Sequence, residues 1–97
     1  MEDRDYLILL YDYYGELFND KQRNYFESYY FDNLSLSEIG DNYNISRNAV
    51  YKVLKNMSSK LYFYEEKLKL YSKFIKFNDI ISNIDDIELK NKLGGIF

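Results

Sequence analysis

The segment Leu36–Lys55 limits the folds open to this 97-residue chain more than any other part of it. Its apolar residues recur at the spacing of two short helices joined by a tight turn. Ile39 and Tyr43 would face inward from the first helix, and Gly40 would let the second helix approach closely. With Ile45 filling the space at the turn, the pattern predicts a helix-turn-helix over residues 36–55.

The residues between these two helices also favour a helix-turn-helix. Asn44 occupies the position where such a turn often takes a positive φ, which Asn tolerates better than other non-glycine residues. Ser46 can cap the second helix, because its hydroxyl accepts a hydrogen bond from an unpaired backbone N–H. Val50 and Val53 would then anchor that helix in the core. Purely structural bundles also contain such helix pairs, so the pattern alone leaves that alternative open.

The second helix of the motif would present polar and basic side chains to solvent. Six residues of this helix and its continuation are predicted to bind nucleic acid: Arg47, Asn48, Tyr51, Lys52, Lys55 and Lys60. The first four would lie near base edges, whereas the last two would meet phosphates.

Charge is distributed unevenly along the chain, although its net value is only −3. Residues 1–44 include 3 basic and 10 acidic residues, residues 45–78 include 8 and 2, and residues 79–97 include 2 and 4. Positive charge is therefore concentrated on the second helix and its continuation, as a phosphate-facing surface requires. Because the chain as a whole is acidic, we expect contact with nucleic acid through one face only.

Helical periodicity also runs through the residues before the motif. Apolar spacing predicts a first helix over about Arg4–Phe18. Asn19 with Gln22, and Ser35 with Glu38, have the spacing of capping boxes, in which side chains satisfy the free backbone N–H groups at a helix start. Each pair is therefore predicted to begin a further helix.

The residues after the motif predict one long helix over about 46–77, because no Gly or Pro interrupts them. Asn78 and Asp79 would cap a final apolar segment. No stretch shows the alternation of a strand or the composition of a linker. The sequence thus predicts a single all-α domain over residues 1–97, a bundle with a long C-terminal helix.

An apolar stripe follows the predicted long helix at alternating steps of four and three residues. Its members are Val50, Leu54, Met57, Leu61, Tyr64, Leu68, Tyr71 and Ile75. Such a stripe requires a partner helix, and this one is longer than the first helix could cover. We therefore favour a homodimer whose interface includes Leu61, Tyr64, Leu68, Tyr71 and Ile75. The alternative is an intramolecular bundle with the first helix.

Other classes of site lack suitable residues. The chain has no His and no Cys, which excludes imidazole bases, thiolate nucleophiles and the usual zinc ligands. The carboxylates of residues 85–88 are typical of a helix start, where they favour the helix dipole. We expect no catalytic residue, metal or cofactor. An acidic N-terminus and the absence of a long apolar run predict a cytoplasmic protein without a membrane span.

Five segments carry a resemblance to a known family: Lys21-Gln22, Tyr29-Tyr30, Asp32–Ile39, Ser46–Tyr51 and Tyr64–Leu68. Together they make the chain resemble the YlxM family of small bacterial helix-turn-helix proteins. The central segment is also similar to the promoter-reading C-terminal region of bacterial sigma factors. The resemblance implies a fold like sigma region 4, or a winged-helix-like one.

The same resemblance implies a regulatory protein encoded beside the genes of the signal recognition particle. In one reading, a dimer places two second helices in successive major grooves of duplex DNA and regulates transcription. In the other, the basic face binds the signal recognition particle through its RNA or a protein subunit. Gly40, Asn44 and Asn48 differ from the residues more usual in that family, so a base preference is not implied.

Overall fold

The computed structural model describes residues 3–82. Within them the chain forms five α-helices and no strand: α1 (Arg4–Tyr14), α2 (Asp20–Tyr30), α3 (Leu36–Tyr43), α4 (Arg47–Leu68) and α5 (Leu70–Ser82). A short 3-10 turn, Gly15–Leu17, follows α1. Asn78 and Asp79, predicted to begin a final helix, lie inside α5. The first residues of the predicted final apolar segment, Ile80 and Ile81, also belong to α5, whereas its remainder and the carboxylate cluster lie outside the described residues. The all-α helix-turn-helix prediction is confirmed.

Reciprocal side-chain hydrogen bonds begin two of these helices. Asn19 accepts from the backbone N–H of Gln22 at 2.8 Å, and Gln22 accepts from the N–H of Asn19 at 3.0 Å. Ser35 and Glu38 make the same pair of bonds before α3, both at 3.0 Å. Both predicted capping boxes are confirmed, and each satisfies backbone donors that a helix start leaves unpaired.

The centre of the bundle is α4, which packs against α1, α2 and α3. The buried core is rich in aromatic rings, and those of Tyr11 and Phe26 stack with centroids 4.1 Å apart. Its apolar members are Leu7, Leu10, Tyr11, Tyr14, Phe18, Tyr25, Phe26, Ile39, Val50, Leu54, Met57 and Leu61. Because these contacts occupy the inner side of α4, its opposite side is left to solvent.

The apolar stripe, which extends over α4 and α5, is largely covered within the same chain. Leu61, predicted to lie in a dimer interface, is fully buried in a single copy, so it is a core residue rather than an interface residue. The ring of Tyr64 lies beside that of Tyr14, with centroids 5.9 Å apart. The ring of Tyr71 lies edge-on to that of Tyr6, also at 5.9 Å. The intramolecular alternative thus accounts for this part of the stripe.

The single long helix predicted over about 46–77 is broken at Lys69. This residue has φ 55 and ψ 35, the left-handed conformation, and it separates α4 from α5. That conformation costs a non-glycine residue about 1–2 kcal/mol. The break is stabilised by buried acceptors, because backbone N–H groups at the start of α5 donate to the Tyr14 hydroxyl and the Glu65 carboxylate.

Candidate nucleic-acid interface

The helix-turn-helix consists of α3, a short turn and the beginning of α4. Asn44 ends α3 in the left-handed conformation, with φ 61 and ψ 40. The N–H of Ile45 then donates to the carbonyl of Gly40 at 2.9 Å and closes the turn. Ser46 accepts from the N–H of Ala49 at 3.0 Å and caps α4. The conformation predicted for Asn44 and the cap predicted at Ser46 are confirmed.

Gly40 is a point of close approach between the two helices of the motif. A Cβ atom at this position would lie 2.7 Å from the carbonyl oxygen of Ile45 and 3.5 Å from the backbone nitrogen of Arg47. These are backbone atoms of the turn, so they cannot move aside as the end of a flexible side chain can. The predicted role of Gly40 in close packing is confirmed.

Two residues of the motif are more exposed than the sequence suggested. Ile45 is half-buried, and Tyr43 is 39% exposed. The ring of Tyr43 nevertheless packs edge-on against Tyr25 of α2, with centroids 5.0 Å apart. Ile39, in contrast, is fully buried as predicted. Ile39 is thus the one fully buried large side chain of α3.

The side chains predicted to bind nucleic acid are all exposed. Five of them fall within an arc of about 140° on α4, since successive residues are rotated by about 100°. This outward face consists of Arg47, Asn48, Tyr51, Lys52 and Lys55. Lys60 is rotated by about 140° from Lys55 and therefore lies on a different side of the helix.

The cations of the outward face are available to an external anion. Within residues 3–82, no carboxylate forms a salt bridge with Arg47, Lys52 or Lys55. The ammonium of Lys55 lies 5.8 Å from the ring centroid of Tyr51, which positions it over an exposed aromatic surface. A guanidinium and two ammonium groups on one helical face can neutralise phosphates.

A groove lies beside the outward face. Its volume is about 610 Å³, and its walls come from α1, α2, α3 and α4. Its lining residues are Arg4, Tyr29, Tyr30, Leu36, Tyr51, Leu54, Lys55 and Ser58. Two of these belong to the predicted interface, but the groove itself was missed because its walls are distant in sequence. The tyrosine pair at the end of α2 was the available signal.

The one buried carboxylate among the described residues belongs to Glu65 of α4. Tyr14 and Ser72 donate hydrogen bonds to its oxygens, as do two backbone N–H groups of α5. The role of Glu65 is therefore structural. Within residues 3–82, no cluster of three carboxylates could hold a metal ion, and no helix is long and apolar enough to cross a membrane.

Comparison with known proteins gives a consistent result across most of the chain. The UPF0122 family model, described as "Putative helix-turn-helix protein, YlxM / p13 like", matches residues 1–94. A UPF0122 protein of Thermoanaerobacter sp. (strain X514) is 44% identical over 87 residues, which cover 90% of this chain and 72% of the relative. One from Lactococcus lactis subsp. cremoris (strain MG1363) is 40% identical over 84 residues, 87% of this chain and 76% of the relative. One from Oceanobacillus iheyensis is 52% identical over 65 residues, which cover 67% of this chain and 62% of the relative.

Proposed function

Since the chain belongs to the UPF0122 family of YlxM-like helix-turn-helix proteins, we propose that it binds duplex DNA and regulates transcription. The observation that carries this proposal is the outward face of α4, which combines exposed polar side chains with cations that form no salt bridge within residues 3–82. An α-helix fits the major groove of B-DNA, where each base pair presents a distinct set of donors and acceptors. The proposed role is binding and not catalysis.

In the proposed complex the first turns of α4 enter the major groove. Arg47 suits the two acceptors on the edge of guanine, and Asn48 suits the donor and acceptor of adenine. Tyr51 and Lys52 lie on the same face and would contact neighbouring bases. Lys55, further along α4, would meet a phosphate. We assign Lys60 a smaller phosphate contribution, because it faces another side of the helix.

We also propose that the protein binds DNA as a homodimer. Of the ten exposed large apolar side chains in residues 3–82, five lie from residue 63 onward, away from the helix-turn-helix. Among them, Leu68 and Ile75 are 47% and 44% exposed. Burying such side chains against a second copy removes apolar surface from water. A dimer would also present two recognition helices to two half-sites. Tyr64 and Tyr71, both half-buried, would border this interface.

We propose that the protein acts in the bacterial cytoplasm. The RNA of the signal recognition particle is a second polyanion in that compartment. Competition between the two nucleic acids tests the proposal. We expect a duplex selected from a random pool to stay bound at physiological salt when an equal concentration of that RNA is added. Displacement of the duplex by the RNA would indicate that the outward face binds the signal recognition particle instead. Binding to neither nucleic acid would overturn both assignments.

Matched charge variants separate the proposed interface from nonspecific attraction. Removing two cations from the outward face, in Arg47→Ala with Lys52→Ala, should abolish preference for the selected duplex. Removing two cations elsewhere, in Lys67→Ala with Lys73→Ala, changes the net charge equally and should leave that preference intact. Equal losses in the two double variants would contradict the assignment of the outward face.

A further inference from the structure

The groove beside the outward face has aromatic walls that do not touch one another. Tyr51 of α4 is 51% exposed and makes no ring contact with another aromatic residue in the described part of the chain. Tyr29 of α2 is half-buried, and its ring contact is with Tyr30, edge-on at 4.9 Å. The groove therefore separates two tyrosines that a flat aromatic ligand could contact.

The charge of the groove is positive. Lys55 lies over the ring of Tyr51 on one wall. Arg4 lies on another, where its guanidinium donates to the backbone carbonyl of Tyr30 and to Oδ1 of Asn33, and sits 5.3 Å from the Tyr30 ring centroid. These contacts hold Arg4 in place without neutralising it. Within residues 3–82, no Asp or Glu lines the groove.

Leu36, Leu54 and Ser58 line the inner part of the groove among the described residues. Leu36 and Leu54 contribute aliphatic surface. The hydroxyl of Ser58 is already committed, because it donates to the carbonyl of Leu54 at 3.1 Å. A ligand that suits this site has a flat apolar ring for the interior and an anionic group for the rim.

We propose that this groove binds a single unpaired nucleotide, with its base between the tyrosines and its phosphate near Lys55 and Arg4. Aromatic side chains and cations together are the usual means of holding unstacked bases. The volume of about 610 Å³ lies within the range of small-ligand sites. The nucleotide is either one extruded from a bound strand or a free one. This inference goes beyond duplex binding, because a free nucleotide would still bind if duplex binding failed.

The fluorescent base 2-aminopurine tests the site, since stacking against an aromatic ring quenches its emission. One arm compares a duplex that carries a single bulged 2-aminopurine nucleotide with the same duplex fully paired. We expect the bulged duplex to bind at least about fivefold more tightly and its emission to fall. A second arm titrates 2-aminopurine riboside monophosphate alone. Quenching in this arm without a preference in the first would identify a free nucleotide as the ligand.

Variants at Tyr29 separate the groove from the outward face, because Tyr29 belongs to α2 and not to α4. Tyr29→Leu should remove the quenching and the preference for the bulge while leaving affinity for the paired duplex unchanged. Tyr29→Phe keeps the ring and should behave as the parent does. If Tyr29→Leu does not melt cooperatively, Leu36→Trp replaces it by filling the groove. Equal affinity for both duplexes, together with no quenching of the free nucleotide, would overturn the proposal.

Discussion

The hydroxyl of Tyr14 in α1 donates a 2.8 Å hydrogen bond to Oε1 of Glu65 in α4, across 51 residues of sequence. The same hydroxyl accepts from the N–H of Leu70 at 3.1 Å. Glu65 accepts from the N–H groups of Tyr71 and Ser72 at 3.0 and 3.2 Å, so its carboxylate caps α5. Burial and the bond to Glu65 raise the pKa of Tyr14 to about 12, which keeps the phenol protonated as a donor. One buried pair thus fixes α1 to the start of α5.

Replacing Glu65 with Leu should lower the free energy of unfolding by roughly 3 kcal/mol. The Tyr14 hydroxyl and the first N–H groups of α5 would lose their acceptor inside the protein, where water cannot replace it fully. Urea denaturation followed by circular dichroism measures the change. Glu66→Leu is the control, since Glu66 is exposed beside it. Similar losses in the two variants would contradict the role given to Glu65.

The stability that Glu65 provides should disappear in acid. Burial acts to raise the pKa of its carboxyl, but the hydrogen bonds from Tyr14, Tyr71 and Ser72 outweigh burial and hold the pKa below its ordinary value of 4.5. A pKa lowered by folding gives stability that is present above the ordinary value and lost as the pH falls through the lowered one. The difference in unfolding free energy between the parent and Glu65→Gln should therefore shrink below pH 4.5. A difference that stays constant from neutral pH to strong acid would contradict this explanation.

Substituting Gly40 by Ala should destabilise the helix-turn-helix. The new Cβ would lie 2.7 Å from the carbonyl oxygen of Ile45, so the turn or α3 must shift. Added volume at a packed position costs about 1–3 kcal/mol, which thermal melting would detect. Duplex affinity should fall as well, because the shift tilts α4. Ser37→Ala, at an exposed position of the same helix, should change neither quantity; equal melting of the two variants would refute the close packing inferred here.

The sequence was sufficient for the features whose signals are local. Asn44 and Ser46 indicated the turn because a left-handed residue and a helix cap depend on neighbouring backbone atoms. Ser35 with Glu38 indicated the start of α3 for the same reason. The resemblance to the YlxM family, found on segments spread along the chain, is confirmed by the family match over residues 1–94.

Features set by distant contacts could not be predicted from the sequence. The apolar spacing continues across Lys69, and neither Gly nor Pro marks the break. The cost of the left-handed conformation there is offset by hydrogen bonds to the Tyr14 hydroxyl and the Glu65 carboxylate. Tyr14 lies 51 residues before Glu65 in the sequence. Leu61 was likewise assigned to a dimer because a stripe does not reveal which helix covers it. The groove could not be predicted for the same reason, since residues of four helices form its walls.

The salt dependence of duplex binding should distinguish the cations of α4. Each phosphate contact releases counterions, so affinity falls as salt rises, and Lys55→Ala should reduce the slope of log affinity against log salt by about one unit. Lys60→Ala should change that slope less, because Lys60 faces another side of α4. Titrations at several salt concentrations measure both slopes. Identical slopes for the two variants would contradict the division between the outward face and Lys60.

Homodimer formation should depend on the exposed apolar residues of the C-terminal half. We expect the parent chain to sediment as a dimer at about tens of micromolar, where an interface of standard size is populated. Leu68→Asp with Ile75→Asp should sediment as a monomer, because each substitution places a charge in the proposed interface. Its melting in the monomeric state should change little, since the two side chains are 47% and 44% exposed.

A matched double variant makes this test specific to the C-terminal half. Leu9→Asp with Leu17→Asp removes two side chains that are 39% and 58% exposed, but in the N-terminal part of the chain, and should leave the dimer intact. Leu61 is unsuitable for this purpose, because a charge at a fully buried position would unfold the chain itself. Titration with palindromic and half-site duplexes then tests whether the dimer is the form that binds DNA. When two recognition helices are rigidly joined, the second meets its half-site of a palindrome at a higher effective concentration. A parent that sediments as a monomer, or that binds both duplexes equally, would contradict the dimer.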